Sequence, residues 1–249
     1  MLTDPTFEML PRYVRLAGAT PVEVPWLDRP FPTEEFDLAI DARTGAAFIV
    51  SPNNPTGAAV RGRDMIGIAE RHPACLVVAD LAYAEFADED PTRELLPLPN
   101  TVVTRTFSKA WGLAGLRVGY AIGPAEVIGW LRAVGHPFPT SGVSLALAAA
   151  ALEADQAGTR AYLDRVRTER AELAALLRSL GAATPPSQGN FVLGRFADAW
   201  AVADALAVRG IRVRRFDRGT PLGDRLRITC PGDEADFDRL SAALREILA

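Results

Sequence analysis

The sequence has little cysteine, little histidine and no excess of positive charge. Its 249 residues include two cysteines, Cys75 and Cys230, and two histidines, His72 and His136. Two cysteines without paired spacing exclude a disulfide framework and a zinc site, and two histidines do not supply an imidazole cluster. We therefore expect a protein of a reducing compartment, the cytoplasm, with no bound metal.

Charge and hydropathy exclude two further classes of partner. The formal net charge is −4, and acidic and basic residues are interspersed along the chain, so no basic stripe could follow a phosphodiester backbone. No apolar run has the length of a membrane span, and the start MLTDPTFEML lacks the cationic and apolar regions of a signal peptide. We expect neither a nucleic acid nor a membrane as a partner.

Short apolar segments alternate with helical patterns, which predicts an α/β protein with a mostly parallel sheet covered by helices. With 49% hydrophobic residues, the chain can build substantial cores. Continuous apolar strands of this kind suit a sheet that is buried on both faces. The predicted strands cover 46–50, 75–79, 101–104 and 117–122, and helices cover 61–71 and 124–133.

The C-terminal part predicts a second, smaller α/β unit. From Ser141 a helix of small residues leads into a long amphipathic helix, which Gly181 ends. The later elements are strands at 190–196, 211–214 and 225–229 and helices at 198–209 and from residue 234. We expect a large domain over 1–155 and a small C-terminal domain over 156–249.

The polar residues that follow two strands are candidates for function, because open α/β sheets bind ligands at the carboxyl ends of their strands. The strand 46–50 runs into SPNNPTG, a rigid turn that would present amide side chains, or a plain surface turn. The strand 75–79 runs into Asp80, whose carboxylate is costly to bury without a cation or several donors. Either a positive group faces Asp80 or this residue caps an exposed loop.

The strand 101–104 opens into RTFSKAWGLAGLRVGY, where hydroxyl and cationic side chains lie among glycines. Hydroxyls, a glycine-rich backbone and an arginine suit a phosphate group. The alternative is a solvated lysine and arginine beside ordinary turns. The glycines lack the G-x-G start of a dinucleotide-binding turn. The candidate residues are Thr106, Ser108, Lys109 and Arg117.

Five motifs occur in a fixed order: SPNNPTG, VVADLAYAEF, TFSKAWGLAGLRVGYAIG, GNFVL and LRIT. Together they resemble the class I/II pyridoxal-phosphate aminotransferases of fold type I, and most of all the histidinol-phosphate aminotransferases. The resemblance covers essentially the whole chain. It implies the large and small domains of that fold, pyridoxal 5'-phosphate as cofactor and a homodimer.

The resemblance assigns residues to the cofactor ring. It implies that Lys109 forms a Schiff base with the cofactor aldehyde and that Asp80 pairs with the pyridine nitrogen, which would supply the positive group that Asp80 needs. Asn54 and Tyr83 would donate hydrogen bonds to the phenolic oxygen. Phe7, in DPTF, would stack on the pyridine ring.

The resemblance also assigns residues to the phosphate and the substrate. Thr106, Ser108 and Arg117 would bind the cofactor phosphate. Arg227, in LRIT, would hold the substrate α-carboxylate, for which the planar fork of arginine suits better than lysine. Asn190, in GNFVL, and Asn54 would lie near the substrate.

The implied reaction is a ping-pong transamination between an amino acid, or a related amine, and a 2-oxo acid. The amino donor displaces Lys109, whose freed amine then moves the α-proton. A decarboxylase or lyase on the same scaffold is an alternative, and a catalytically impaired domain that only binds cofactor or a partner is another. Leu81 departs from the histidinol-phosphate enzymes, which usually carry glutamate there.

The beginning of the sequence also departs from the family. Family members carry a substantial segment before the position of Phe7, where this sequence has six residues. That segment normally supplies the first strand, a glycine-rich turn that donates N–H groups to the phosphate, and aromatic residues that reach the neighbouring subunit. We therefore expect fewer phosphate donors, uncovered apolar surface and a weaker homodimer.

Overall fold

The computed structural model describes residues 1–154 and 156–248. The chain begins with β1 (Leu2–Asp4), α1 (Met9–Leu16), β2 (Glu23–Pro25) and α2 (Thr33–Leu38). It continues with β3 (Ala46–Val50), α3 (Gly62–Arg71), β4 (Leu76–Asp80), α4 (Thr92–Leu95), β5 (Thr101–Thr106), β6 (Gly119–Ile122) and α5 (Ala125–Val134). The C-terminal elements are α6 (Gly142–Ala154), α7 (Gln156–Ser179), β7 (Phe191–Arg195), α8 (Ala199–Val208), β8 (Arg214–Arg215), β9 (Arg225–Thr229) and α9 (Glu234–Leu248).

The central sheet confirms the predicted α/β class. Its strand order is β3-β4-β5-β6; the first three strands are parallel and β6 is antiparallel to β5. Helices α3 and α4 lie in the connections between the parallel strands, as crossover geometry requires. In the described chain no helix is both apolar enough and long enough to cross a bilayer.

The predicted strand bounds are largely confirmed, with two informative shifts. Strand β4 extends to Asp80, so the carboxylate belongs to the last residue of the strand. The predicted strand 117–122 begins only at Gly119, because Arg117 has φ +55°, which is incompatible with an extended strand. At Gly119 a Cβ would lie 2.8 Å from the carbonyl oxygen of Arg105, so glycine permits the close pairing of β6 with β5.

The C-terminal unit contains the predicted long helix and a small antiparallel sheet of order β7-β9-β8. Gly181 ends this helix with φ +84°, and its N–H donates to the carbonyl of Arg178 at 3.1 Å. The predicted strand 211–214 is shorter and later, at β8. The predicted domain boundary at residue 155 lies outside the described residues and stays a prediction.

Two large hydrophobic clusters form most of the core of the described chain. One lies around the central sheet and contains Trp26, Phe36, Ile49, Met65 and Leu81. The other fills the C-terminal unit, yet it also includes Tyr83, Phe86 and Ala110 from the region of the central sheet. The segments that follow β4 and β5 are therefore packed against the C-terminal unit.

Candidate active site

A cavity of about 730 Å³ opens at the carboxyl ends of β3 and β4, within the size range of small-molecule sites. Its walls come from the segment 2–8, helix α1, the ends of both strands, the segment 214–222 and β9. The sequence-predicted residues that line it are Phe7, Asn54, Asp80, Tyr83, Lys109 and Arg227. Residues separated by up to 220 positions in the chain therefore face one space.

Asp80 ends β4 with its carboxyl group largely withdrawn from solvent. Its Oδ1 accepts a hydrogen bond of 3.1 Å from the N–H of Ala82. Burial raises the pKa of Asp80; the Ala82 hydrogen bond and the charge of Lys109 oppose the shift without cancelling it. Among the described residues, no cation forms an ion pair with this carboxylate, so the cavity offers a place for a cationic group of a ligand.

Lys109 follows β5 and extends over the ring of Tyr83, with its Nζ 5.2 Å from the ring centroid. The Tyr83 ring is itself buried and packs edge-on against Phe191, with 5.3 Å between centroids. The C-terminal core thus holds the phenol beneath the amine. Lys109 is also the single lysine among 249 residues, against 26 arginines, a compositional signal that the motif analysis overlooked.

Arg227 reaches the cavity from β9. Its Nη1 donates to Oδ1 of Asn54, and its guanidinium carbon lies 5.0 Å from the ring centroid of Phe191. Burial and the nearby Arg214 lower the pKa of Arg227, while Tyr83 opposes the shift. Within the described chain, the buried Nε of Arg227 has no hydrogen-bond acceptor. The planar guanidinium of an arginine that lines a cavity is suited to bind a carboxylate.

The bond with Arg227 also fixes the direction of the Asn54 amide. Because Oδ1 of Asn54 accepts from the guanidinium, Nδ2 is left as a donor, and the described residues supply it with no acceptor. The neighbouring Asn53 behaves differently, since its side chain is fully buried and bonded within the protein. The expectation that SPNNPTG presents both amides at the sheet edge is therefore wrong for Asn53.

Four of the predicted site residues are described by the structure but are not among the residues that line the cavity: Thr106, Ser108, Arg117 and Asn190. The Oγ1 of Thr106 accepts from the N–H of Ser108 at 3.1 Å, and the exposed Arg117 donates to the carbonyl of Ala114 at 3.0 Å. Asn190 lies beside the Tyr162 hydroxyl in the C-terminal unit. Their roles in binding phosphate and substrate stay predictions.

Charged residues of α1 and β8 also line the cavity, and the sequence analysis did not single them out. Arg214 pairs with Glu8 at 2.9 Å, and Arg214 lies opposite Arg227 in the small sheet. Arg12 also lines the cavity and has no acidic partner in the described chain. The arginine-rich run RVRRFDR was the available signal for part of this set.

Fold and cavity together are those of an α/β protein with a small-molecule site at the carboxyl ends of its strands, beside a lysine amine. The sequence profile of the family "Aminotransferase class I and II" matches residues 1–244. The chain therefore belongs to the class I and II aminotransferases, as the motifs indicated, and pyridoxal 5'-phosphate is the cofactor of that family.

Two of the relatives that match this chain are also aminotransferases. The chain is 42% identical over 247 residues to an aromatic amino acid aminotransferase of Mycobacteroides abscessus, covering 96% of this chain and 70% of the relative. It is 39% identical over 249 residues to a histidinol-phosphate aminotransferase of Ruegeria pomeroyi, covering 98% and 68%.

Among solved structures, the histidinol-phosphate aminotransferase of Sinorhizobium meliloti in complex with pyridoxal-5'-phosphate matches with a TM-score of 0.89 and 30% identity. The match covers 100% of this chain and 70% of that one. It confirms the fold expected from the motifs.

Proposed function

We propose that the protein transfers an amino group between an amino acid, or a related amine, and a 2-oxo acid, with pyridoxal 5'-phosphate in the cavity and Lys109 as its attachment point. The observation that carries this proposal is the convergence of Asp80, Lys109 and Arg227 on one cavity. A lysine amine, a buried carboxylate and an arginine are the groups that hold the cofactor aldehyde, its ring nitrogen and a substrate carboxylate.

The cavity also satisfies a test of fit for the cofactor ring. The carboxyl of Asp80 is buried with a raised pKa, and a cationic ring nitrogen would stabilise its charged form. Nδ2 of Asn54 and the hydroxyl of Tyr83 are donors for a phenolic oxygen, and the ring of Phe7 lines the same space. When bound, the cofactor supplies a sink for the electron pair that is left when the substrate loses its α-proton.

The protein's own groups then have separate tasks. The Nζ of Lys109 would hold the cofactor and, when free, would act as the base that carries the α-proton of the substrate. The guanidinium of Arg227, which lines the cavity, would orient the substrate through its α-carboxylate. The hydroxyls of Thr106 and Ser108 and the guanidinium of Arg117 are proposed to hold the phosphate.

The amino donor is the open part of the proposal. The two relatives act, by name, on aromatic amino acids and histidinol phosphate, at similar identities. The guanidinium of Arg12, which lines the cavity without an acidic partner among the described residues, favours a donor with an anionic group. We therefore propose the phosphate-bearing donor as first choice and the aromatic donor as second.

The proposal is tested with the purified chain and added pyridoxal phosphate. We expect a visible absorption band from cofactor joined to an amine, and borohydride should fix the cofactor to the peptide that contains Lys109. Because the sequence has a single lysine, the chain's only competing amine is its α-amino group. Lys109→Ala is the control; a wild type without the band, or the same band in the variant, would refute the enzyme assignment.

We also propose a homodimer. Large apolar side chains are exposed on β6, α5 and α6, among them Trp130 with 59% of its surface exposed and Val143 with 70%. Exposed patches of this kind are typical of interfaces between protein chains. Light scattering over a range of concentrations should show a dimer that Trp130→Arg weakens; a monomer at every concentration would contradict the proposal.

A further inference from the structure

Asn53 connects two segments that line the cavity, although its own side chain is absent from the lining. Its Nδ2 donates to the carbonyl of Pro5 at 2.9 Å and to Oγ1 of Thr56 at 3.0 Å, and its Oδ1 accepts from Oγ1 of Thr6 at 3.0 Å. The side chain has no exposed surface. The amide therefore uses its donor and its acceptor ends at the same time, with no water to replace either.

The chemistry of the partners fixes the direction of this amide. A carbonyl oxygen only accepts hydrogen bonds, so the nitrogen of Asn53 must face Pro5 and the oxygen must face Thr6. No other side chain of this size both donates and accepts in this way. Aspartate would place an acceptor against the Pro5 carbonyl and lose the bond that joins the two segments.

The two segments carry different contacts of the proposed cofactor site. Thr6 directly precedes Phe7, the predicted stacking ring, and Asn53 directly precedes Asn54, which binds Arg227. Phe7 is 38% exposed and its carbonyl accepts the first hydrogen bond that leads into α1, from Leu10 at 2.9 Å. The hydrogen bonds of Asn53 with Pro5 and Thr6 therefore link the segment that carries the Phe7 ring to the turn that carries Asn54.

We infer that Asn53 is a positioning residue that sets the ring of Phe7 relative to Asn54, and so tightens the grip on the cofactor ring. This inference rests on the proposed function. Its physical basis is that a preorganised contact costs less to form on binding than a mobile one. Without the Asn53 amide, we expect the Phe7 side chain to move away from its position over the cofactor ring.

Asn100 provides a matched control. It is another buried asparagine, and its Nδ2 lies 3.0 Å from each of three backbone carbonyl oxygens, those of Ala69, His72 and Cys75, which share its two N–H groups. It directly precedes β5 and is not among the described residues that line the cavity. Asn100→Asp should therefore disturb a comparable network without reaching the cofactor site.

The experiment compares Asn53→Asp, Thr6→Val, Thr6→Ser and Asn100→Asp with the wild type. For each we measure the melting temperature of the cofactor-free chain, the dissociation constant of pyridoxal phosphate by visible absorption, and the circular dichroism of the bound cofactor. We expect Asn53→Asp and Thr6→Val to weaken binding about tenfold and to reduce the dichroism, since tenfold corresponds to about one lost hydrogen bond. Thr6→Ser, which keeps the hydroxyl, should restore both, and Asn100→Asp should lower only the melting temperature.

Wild-type affinity and dichroism in Asn53→Asp and Thr6→Val, at a temperature where both are folded, would overturn the inference and leave Asn53 a purely structural residue. If Asn53→Asp does not fold, the comparison of Thr6→Val with Thr6→Ser decides the question alone. If the wild type does not bind pyridoxal phosphate, the proposed function is refuted and the inference with it. If the wild type and the variants bind it equally well, only the inference is refuted.

Discussion

Replacing Asp80 with asparagine separates the stability of the folded chain from its affinity for the cofactor. The amide has nearly the same shape as the carboxyl group, and its Oδ1 can still accept from the N–H of Ala82. Only the negative charge is removed. In the cofactor-free chain that charge is unfavourable, because burial raises the pKa of Asp80.

The sign of the pH dependence follows from this shift. The Asp80 carboxyl binds its proton more tightly in the folded than in the unfolded chain. Its contribution to the stability of the fold is therefore fully present below the ordinary aspartate pKa of about 3.9. This contribution is lost as the pH rises through the raised pKa of the folded chain. Asparagine does not titrate. Without cofactor, the variant should therefore be at least as stable as the wild type at neutral pH, with the difference narrowing in acid.

With cofactor the order reverses. The neutral amide of the Asp80→Asn variant cannot hold a protonated ring nitrogen by charge, and a hydrogen bond to a charged group contributes roughly 1.5–3 kcal/mol. We expect the dissociation constant of pyridoxal phosphate to rise roughly 10- to 150-fold. Titration followed by visible absorption, combined with thermal melts with and without cofactor, measures both effects. Wild-type affinity in a stable Asp80→Asn chain would refute the argument.

Asp90 serves as the control for the direction of these effects. Burial raises its pKa, but hydrogen bonds from Thr92 and Arg105 outweigh burial and the net pKa is lowered. By the same linkage, its contribution to stability is present above the ordinary aspartate pKa and is lost in acid. Asp90→Asn should therefore lower the melting temperature at neutral pH and leave cofactor affinity unchanged.

Three further substitutions probe one residue of the cavity and two contacts elsewhere in the chain. Arg227→Lys keeps the charge and loses the planar fork, so the KM for the amino donor should rise at least about tenfold in steady-state kinetics, and an unchanged KM would contradict the carboxylate role. Gly57→Ala places a Cβ 3.0 Å from Cα of Ser187 at φ +77°, and should cost about 2–5 kcal/mol of unfolding free energy in urea; a neutral result would contradict the close approach. Asp28→Asn removes one of the two carboxylates that face the buried Arg225, the other being that of Asp224 at 3.7 Å, and should cost about 1–2 kcal/mol in the same assay; an unchanged free energy of unfolding would contradict a stabilising ion pair.

The sequence predicted the strands best where local pattern alone decides the structure. The runs AAFIV and RLRIT became β3 and β9 with the predicted bounds, because continuous apolar or alternating residues between turns leave little choice. The antiparallel direction of β6 was not predicted, since side-chain pattern carries no information on strand direction. Its late start was missed because the left-handed conformation of Arg117 depends on the turn around it.

In the candidate site, too, local pattern predicted some residues, and contacts between distant residues decided the rest. Asp80 and the turn SPNNPTG were singled out because they follow predicted apolar strands, and sheet geometry brings strand ends to one edge; Asn54 itself came from the family resemblance. The buried, fully bonded amide of Asn53 was not predicted, because its direction depends on Pro5 and Thr6, which lie 48 and 47 positions away in the chain. The order of residues does not show such partners.

The position of the Lys109 amine depends on the C-terminal unit as much as on the central sheet. The ring under Lys109 is that of Tyr83, which packs in the C-terminal cluster against Phe191. From α7, Arg170 donates to the carbonyls of Phe86 and Gly189 at 3.0 Å each, and so ties the segment after Tyr83 to the start of β7. A guanidinium that satisfies two carbonyls from different units couples their positions. Disturbance of the C-terminal core should therefore reach Lys109 through Tyr83, even though the lysine itself follows a strand of the central sheet.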